Sequence, residues 1–290
     1  MRHAHIDSFL PQAARALARG PVAVIMAEDL VEVESTLSHH RAAGFRQTVL
    51  LAPPELALAP GVESDPALHR IDHPVREQDA LVRAVNMLIA AAPGGTWFYY
   101  GYNAEYLFHP FCETRNVREL ISFHVEERRD AMLAYVVDLY AGDLGRFPDA
   151  VDRDGAYLDR TGYYALARRS PEGEIMERQL DFFGGIRWRF EEHVPRPRRR
   201  IDRIALFRSQ PGLQLRPDFT FNLEEYNTYA CPWHHSLTAA VASFRTAKAL
   251  KLNPGSTYDI PSFWWHNSVP FEWKSEQLMR LGLMEPGQWF

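Results

Sequence analysis

The sequence predicts an α/β protein with a mostly parallel sheet and helices on both faces, and three observations carry that expectation. Short apolar runs suited to strands buried on both faces recur at Val22–Met26 and at residues 48–51, 96–100 and 131–139. Between them lie segments with apolar residues at helical spacing, so strand and helix alternate in the manner of right-handed crossovers. The chain has 290 residues, of which 46% are hydrophobic, enough to bury a large core.

Taken in order, residues 11–20 (PQAARALARG) look amphipathic, and Val22–Met26 is the first strand. Leu30, Val33, Leu37 and Gly44 then fall at helical spacing, with Asp29 expected as N-cap and Glu32 completing a capping-box-like start. A strand at 48–51 follows. Residues 78–92 place Leu81, Val85, Leu88 and Ile89 on one helical face, and Pro93-Gly94-Gly95 ends that helix before the strand at 96–100. Val117, Leu120, Ile121 and His124 mark another helix, and 131–139 another strand. From about Tyr140 the chain becomes irregular and rich in aromatic residues, Pro and Arg, with one helix expected over 236–252. A single domain over 1–290 is expected, with a first half at about 20–140 and a second at about 141–290.

Composition excludes several classes. A net charge of -5 and a pI near 6.2 argue against a general nucleic-acid binder, which needs a basic surface to neutralise phosphates. The run RPRRRIDR, residues 196–203, is a local exception, and its bland reading is a solvated surface run. Two cysteines, Cys112 and Cys231, form neither a disulfide framework nor CxxC spacing, which points to a reducing cytoplasm. No apolar run approaches a membrane span, and no secretory signal is recognisable.

The most informative stretch is GGTWFYYGYNAEYLFHP, residues 94–110, where an apolar strand enters a polar turn carrying one carboxylate, Glu105. It resembles the W-hydrophobic-D-x-D-E-F-L-x-x-P segment of the family 2 glycosyltransferases of the GT-A fold, which are Rossmann-like. Tyr102, Asn103, Ala104 and Glu105 stand where that pattern has Asp, any residue, Asp and Glu, while Trp97, Tyr106, Leu107 and Pro110 match its flanks. Further segments are similar, in order, to a subgroup of that family. Glu28, Glu34, His40, Gly44 and Phe45 match its K-N-E, E-W and H-x-x-x-G-F, with Met26 and Ala27 replacing Lys and Asn. LAPPELALAP stands in place of an Asp/Asn/Ser-rich nucleotide loop. VVDLY, with Asp138, resembles D-M-Y; FFGGIRWRF, with Gly184, Gly185, Arg187 and Arg189, resembles G-G-x-R-x-R; IDRIALFR resembles K-x-P-L-hydrophobic-R. Trp233, His234 and His235 fall where L-L-H-F-K is expected, and SEQLMRLGLM resembles the C-terminal ending.

The resemblance implies a protein that handles a nucleotide-diphosphate sugar and a glycan or protein acceptor. Its residue matches single out Glu28, Asn103, Gly184, Gly185, Arg187, Arg189 and His234 as substrate-binding candidates. Transfer makes a diphosphate leaving group whose charge a divalent cation commonly stabilises through oxygen ligands. Tyr102 and Ala104 supply no carboxylate, so no tightly held Mn2+ or Mg2+ is expected at this turn, although Glu105 alone could contact a hydrated divalent ion; no other cofactor is expected. Inverting transfer also needs a carboxylate base, and Asp181, Asp138 and Glu105 are the catalytic candidates, with Glu28 a further carboxylate in reach of the same role.

Two functions fit. In one, arginines replace the metal: Arg187 and Arg189 alternate about Trp188, as on one face of a strand, and residues 198–200 add charge. In the other, the fold survives as a binding or scaffolding module for a protein partner. A metal enzyme built on His234, His235 and His266 is a thinner alternative, because adjacent histidines diverge on regular structure. Gly184-Gly185 is expected to allow a tight turn or close approach, and Trp264-Trp265-His266 to be core or a sugar-stacking platform.

Overall fold

A computed structural model describes residues 1–228 and 236–289. The chain is α/β and forms two compact units that are interleaved in sequence: Met1–Ala104, Thr114–Leu133 and Ile204–Asn227 make the first, and Glu105–Glu113, Ala134–Arg203 and Thr228–Phe290 the second.

The first unit is built on a mostly parallel mixed sheet. Its strands run in the order Arg2–His3, Leu68–Asp72, Gln47–Ala52, Val22–Met26, Trp97–Tyr102, all parallel, closed by the antiparallel pairing of Leu206, Phe207 and Arg208 with Tyr99, Phe98 and Trp97. Val22–Met26 lies inside this sheet with all five residues buried, which is why it reads as an unbroken apolar run and not as an alternation. The helix Ile6–Leu17 buries Ile6, Phe9, Ala13 and Leu17, one stripe at helical spacing, and packs against the helix Ala80–Ala91.

The expected strands at 22–26, 48–51 and 96–100 therefore form, at Val22–Met26, Gln47–Ala52 and Trp97–Tyr102. The helix start expected at Asp29 does not. The helix is Val33–Ala42, and Glu32 precedes it in left-handed backbone, φ 54°, with no side-chain cap. The Asp29 carboxylate instead accepts the Val31 N–H at 3.0 Å and an Asn103 N–H at 2.8 Å, since a short acidic side chain competes with helical bonding wherever other donors are near. The cap that does form lies elsewhere. Asn116 accepts the Arg118 and Glu119 N–H groups, and Glu119 accepts the Asn116 N–H, a complete capping box before the helix Val117–Glu126.

In the second unit, residues 134–138 of the strand Ala131–Ala141 run parallel to Ala239–Ser243, which pairs antiparallel with Glu105–Phe108. The end of the same strand, Leu139, Tyr140 and Ala141, pairs antiparallel with Ala156–Asp159, which in turn pairs with Ser268–Pro270. Asp138 sits where the long strand changes partner. Two strands, Tyr164–Arg169 and Ile175–Phe183, form a separate antiparallel hairpin. The helix expected over 236–252 is a strand, Ala239–Ser243, followed by a helix, Arg245–Leu252. TAAVAS has no polar face, its five strand residues are all buried, and the Ser243 hydroxyl accepts the Arg245 N–H at 3.2 Å where the helix begins. No helix among the described residues is long and apolar enough to cross a membrane.

Candidate functional site

At the carboxyl end of the parallel sheet of the first unit, the strands Val22–Met26 and Trp97–Tyr102 deliver Glu28, Asp29 and Asn103 to one place, the crevice position that open α/β sheets use for ligands. The Asn103 amide is consumed there. Its Oδ1 accepts the Glu28 N–H at 3.0 Å, and its Nδ2 donates to Asp29 Oδ1 and to the Val31 carbonyl, both at 2.8 Å. Both amide donors are thus spent on holding the loop after the first apolar strand. Ala104 adopts left-handed backbone at φ 58°, which costs an alanine roughly 1–2 kcal/mol, and the Thr36 hydroxyl accepts its N–H at 2.9 Å. Glu28 is half-buried at this edge.

Glu105 opens the next strand, in the second unit, and is buried at 1% exposure. Its Oε1 accepts a hydrogen bond from Arg203 at 2.7 Å and from the Ser243 hydroxyl at 3.0 Å, and register places Ser243 directly opposite it. Arg203 is itself buried. The one acid of the turn is therefore half of an internal ion pair.

Deeper in the second unit, two carboxylates and two guanidiniums pair off. Arg187 Nε lies 3.2 Å from both oxygens of Asp138, and its Nη1 donates to the Arg200 carbonyl at 2.9 Å. Arg189 grips Asp159 with a two-pronged contact, Nε to Oδ2 at 2.8 Å and Nη2 to Oδ1 at 3.1 Å, and donates to the Phe263 carbonyl at 2.7 Å. Asp159 also accepts from Trp265 Nε1 at 2.7 Å and from the Tyr140 hydroxyl. The Arg189 guanidinium lies 4.7 Å from the Trp265 ring centre, a cation–π geometry. Burial raises the Asp138 carboxyl above its ordinary range, and the adjacent Arg187 charge opposes that shift. Burial, with Asp159 nearby, likewise pushes the Tyr140 phenol up.

Arg187 and Arg189 lie on a short helix, Gly185–Arg189, and not on the expected strand. Residues two apart on a helix point in different directions, so the arginines take different carboxylates in place of converging on one ligand. Gly184 permits the turn into this helix. A Cβ there would overlap the Tyr163 ring and come within 2.7 Å of the Gly162 carbonyl oxygen, at a backbone φ of 152°. Gly185, at φ 62°, lies beside Asp138, and the Tyr163 hydroxyl is buried there without a hydrogen-bond partner among the described residues.

Asp181 belongs to a neighbouring group. Its Oδ1 accepts from Arg168 Nε at 2.7 Å and Arg200 Nη1 at 3.0 Å, while Arg168 Nη2 reaches Asp202 Oδ2 at 2.7 Å and Asp202 Oδ1 accepts the Phe182 N–H at 2.8 Å. Burial raises the Asp202 carboxyl, against the pull of Arg200 and Arg168. The Arg200 carbonyl and guanidinium link the two groups, so Asp138, Arg187, Arg200, Asp181, Arg168 and Asp202 form one chain of contacts. Arg200 thus has internal partners, and Arg199 bonds to Glu191 and to the Val194 carbonyl. Trp264 is exposed and Trp265 is committed to Asp159.

The structure thus gathers Glu28 with Asn103, and Asp138 with Gly185 and Arg187. It sets Glu105 with Arg203, and His234 lies outside the described residues. Asp159, Arg168, Asp202 and Arg203 were missed. Each works through a partner 13 to 98 positions away, for which the sequence carries no local spacing signal. Among the described residues no group of three or more His, Cys, Asp and Glu side chains converges to hold a metal. The chain matches no protein-family profile, and no curated protein matches it.

Proposed function

We propose that this chain is a GT-A-like relative of the family 2 glycosyltransferases whose metal–diphosphate turn has been rebuilt as internal structure, and that it binds a nucleotide-diphosphate sugar or a glycan without metal-assisted transfer. One observation carries this: Glu105, the single carboxylate of the turn, is buried and held by Arg203 and Ser243. Support for the family plan comes from how scattered segments meet. Asp138 of VVDLY pairs with Arg187, the first Arg of FFGGIRWRF, and Glu105 of the degenerate turn pairs with Arg203, the first Arg of IDRIALFR. The test is a thermal-shift and product assay with UDP-, GDP- and CDP-sugars, each with and without manganese, since binding to the folded state raises apparent stability. The expected result is stabilisation indifferent to manganese and no released nucleotide diphosphate. Manganese-dependent turnover would defeat the proposal.

A second reading, metal-free transfer, is favoured by Asp181 alone. Of the two carboxylates in the linked chain that were singled out as bases, it is the accessible one, 23% exposed against 1% for Asp138. Turnover in EDTA that disappears in Asp181→Asn would establish it.

A further inference from the structure

The hairpin Tyr164–Arg169/Ile175–Phe183 presents a face that neither the turn nor the buried ion pairs explain. Register sets Tyr164 opposite Phe183 and Leu166 opposite Asp181, and an antiparallel bridge sets Phe183 opposite Arg200. Because cross-strand partners and alternate residues share a face, one side carries Tyr164, Phe183 and Arg200 in one row, Leu166 and Asp181 in the next, and Arg168 beyond. Tyr164 and Phe183 stack, with ring centres 5.3 Å apart and planes at 19°. Tyr164 and Leu166 are 45% and 56% exposed, and the side chains of Asp181 and Arg200 23% and 19%. A two-stranded hairpin has little stability of its own. Here its root is fixed by the contacts of Arg168 and Arg200 with Asp181 and Asp202, so the stacked rings and the polar groups are held in fixed geometry.

We propose that this face binds a neutral saccharide. The ligand class follows from the inventory. The face carries two guanidiniums and one carboxylate, and the buried Asp202 beneath it pairs with both arginines, so the cluster as a whole has no net charge, and Asp181 would repel a phosphate or carboxylate brought to its arginines. A purely apolar partner would cut the partly exposed Asp181 and Arg200 off from water without new hydrogen bonds, at a cost in free energy. A sugar meets both demands: its C–H face lies on a stacked aromatic pair, and its hydroxyls both donate to a carboxylate and accept from a guanidinium. The proposal rests on the binding-module reading above and names the chemistry of one of its ligands.

The experiment is calorimetric titration of the whole chain with cellohexaose, maltohexaose and chitohexaose, in the wild type and in Tyr164→Ala, Tyr164→Phe and Asp181→Asn, with melting temperatures and sedimentation velocity on each. At least one oligosaccharide is expected to bind. Tyr164→Ala should weaken it about three- to tenfold, the worth of one aromatic contact, and Tyr164→Phe should retain it. Asp181→Asn should weaken it further than Tyr164→Phe does. Failure of all three sugars to bind, or affinity indifferent to Tyr164→Ala in a variant that melts like the wild type, would overturn the proposal. So would a homodimer that Tyr164→Ala dissociates, which would assign the face to a second copy. Manganese-dependent turnover tests the reading beneath it separately, because that assay follows nucleotide release and its metal dependence and not oligosaccharide affinity.

Discussion

Replacing Glu105 by Gln removes a charge while keeping the shape of the side chain, and it separates a structural carboxylate from one kept for a ligand. The carboxylate is 1% exposed and its partner Arg203 5%. Breaking a buried pair by neutralising one member costs about 3–5 kcal/mol. At about 2 °C per kcal/mol for a chain of this size, the melting temperature should fall by roughly 6–10 °C. Calorimetry or urea unfolding at pH 7 measures it. Removing both charges is expected to be nearly harmless, because well-packed apolar residues often replace a buried ion pair without loss. Glu105→Leu/Arg203→Met should therefore recover most of the stability lost in Glu105→Gln, a coupling that a double-mutant cycle reads directly. A Glu105→Gln protein that melts within about 2 °C of the wild type would refute the structural account. If it also lost manganese-dependent nucleotide binding, the turn would be a metal site after all.

Two further outcomes follow from the same physics. Burial lowers His124 and His69 to about 4 from an ordinary 6.5, so the unfolded chain binds more protons between those values and stability should be full above pH 6.5 and fall as pH drops toward 4. Each pH unit is worth up to about 1.4 kcal/mol per group, and His124→Leu should flatten that acid limb in urea titrations while leaving the share due to His69. Gly184→Ala should destabilise by at least about 2–3 kcal/mol, because the new methyl group overlaps Tyr163 in a conformation that L-residues avoid. An Ala variant as stable as wild type would show that the turn can relax.

The parallel core was legible because its signal is local: Val22–Met26 is buried on both faces and so is apolar throughout. The sequence misled where a competing interaction decided the outcome. Asp29 had Asn103 and Val31 as donors and so capped no helix. Residues 239–243 became a strand because they pair with 134–138 and 105–108, contacts that no local window contains. At the candidate site, residue types were readable but their partners were not. Arg187 and Arg189 stood out as a basic pair, yet the fact that fixes their role, a private carboxylate for each, depends on Asp138 and Asp159, 49 and 30 positions away. The strand expected for them failed because Gly184 and Gly185, at positive φ, turn the chain into a helix.

That pairing reverses what loss of Arg187 should look like. Were the guanidinium kept for a diphosphate, Arg187→Ala would weaken diphosphate binding and leave the unliganded protein untouched. Because Arg187 neutralises Asp138, whose side chain is 1% exposed, its removal should instead strand a buried carboxylate and lower the melting temperature with no ligand present. The carboxylate has one escape, taking up a proton, which burial already favours. Without Arg187 the folded-state pKa rises further above the unfolded 3.8, so the folded variant binds more protons than the unfolded chain across that window, and its stability falls as pH rises through it. Arg187→Ala should therefore be damaged more at pH 7 than at pH 4.5, relative to wild type at each pH, and Asp138→Asn in the same background should remove most of that difference. Differential scanning calorimetry of the three proteins at both values gives the answer. A native melting temperature at pH 7 in Arg187→Ala, joined to a selective loss of nucleotide-diphosphate affinity, would return the arginine to the ligand and restore metal-free transfer as the better account of this fold.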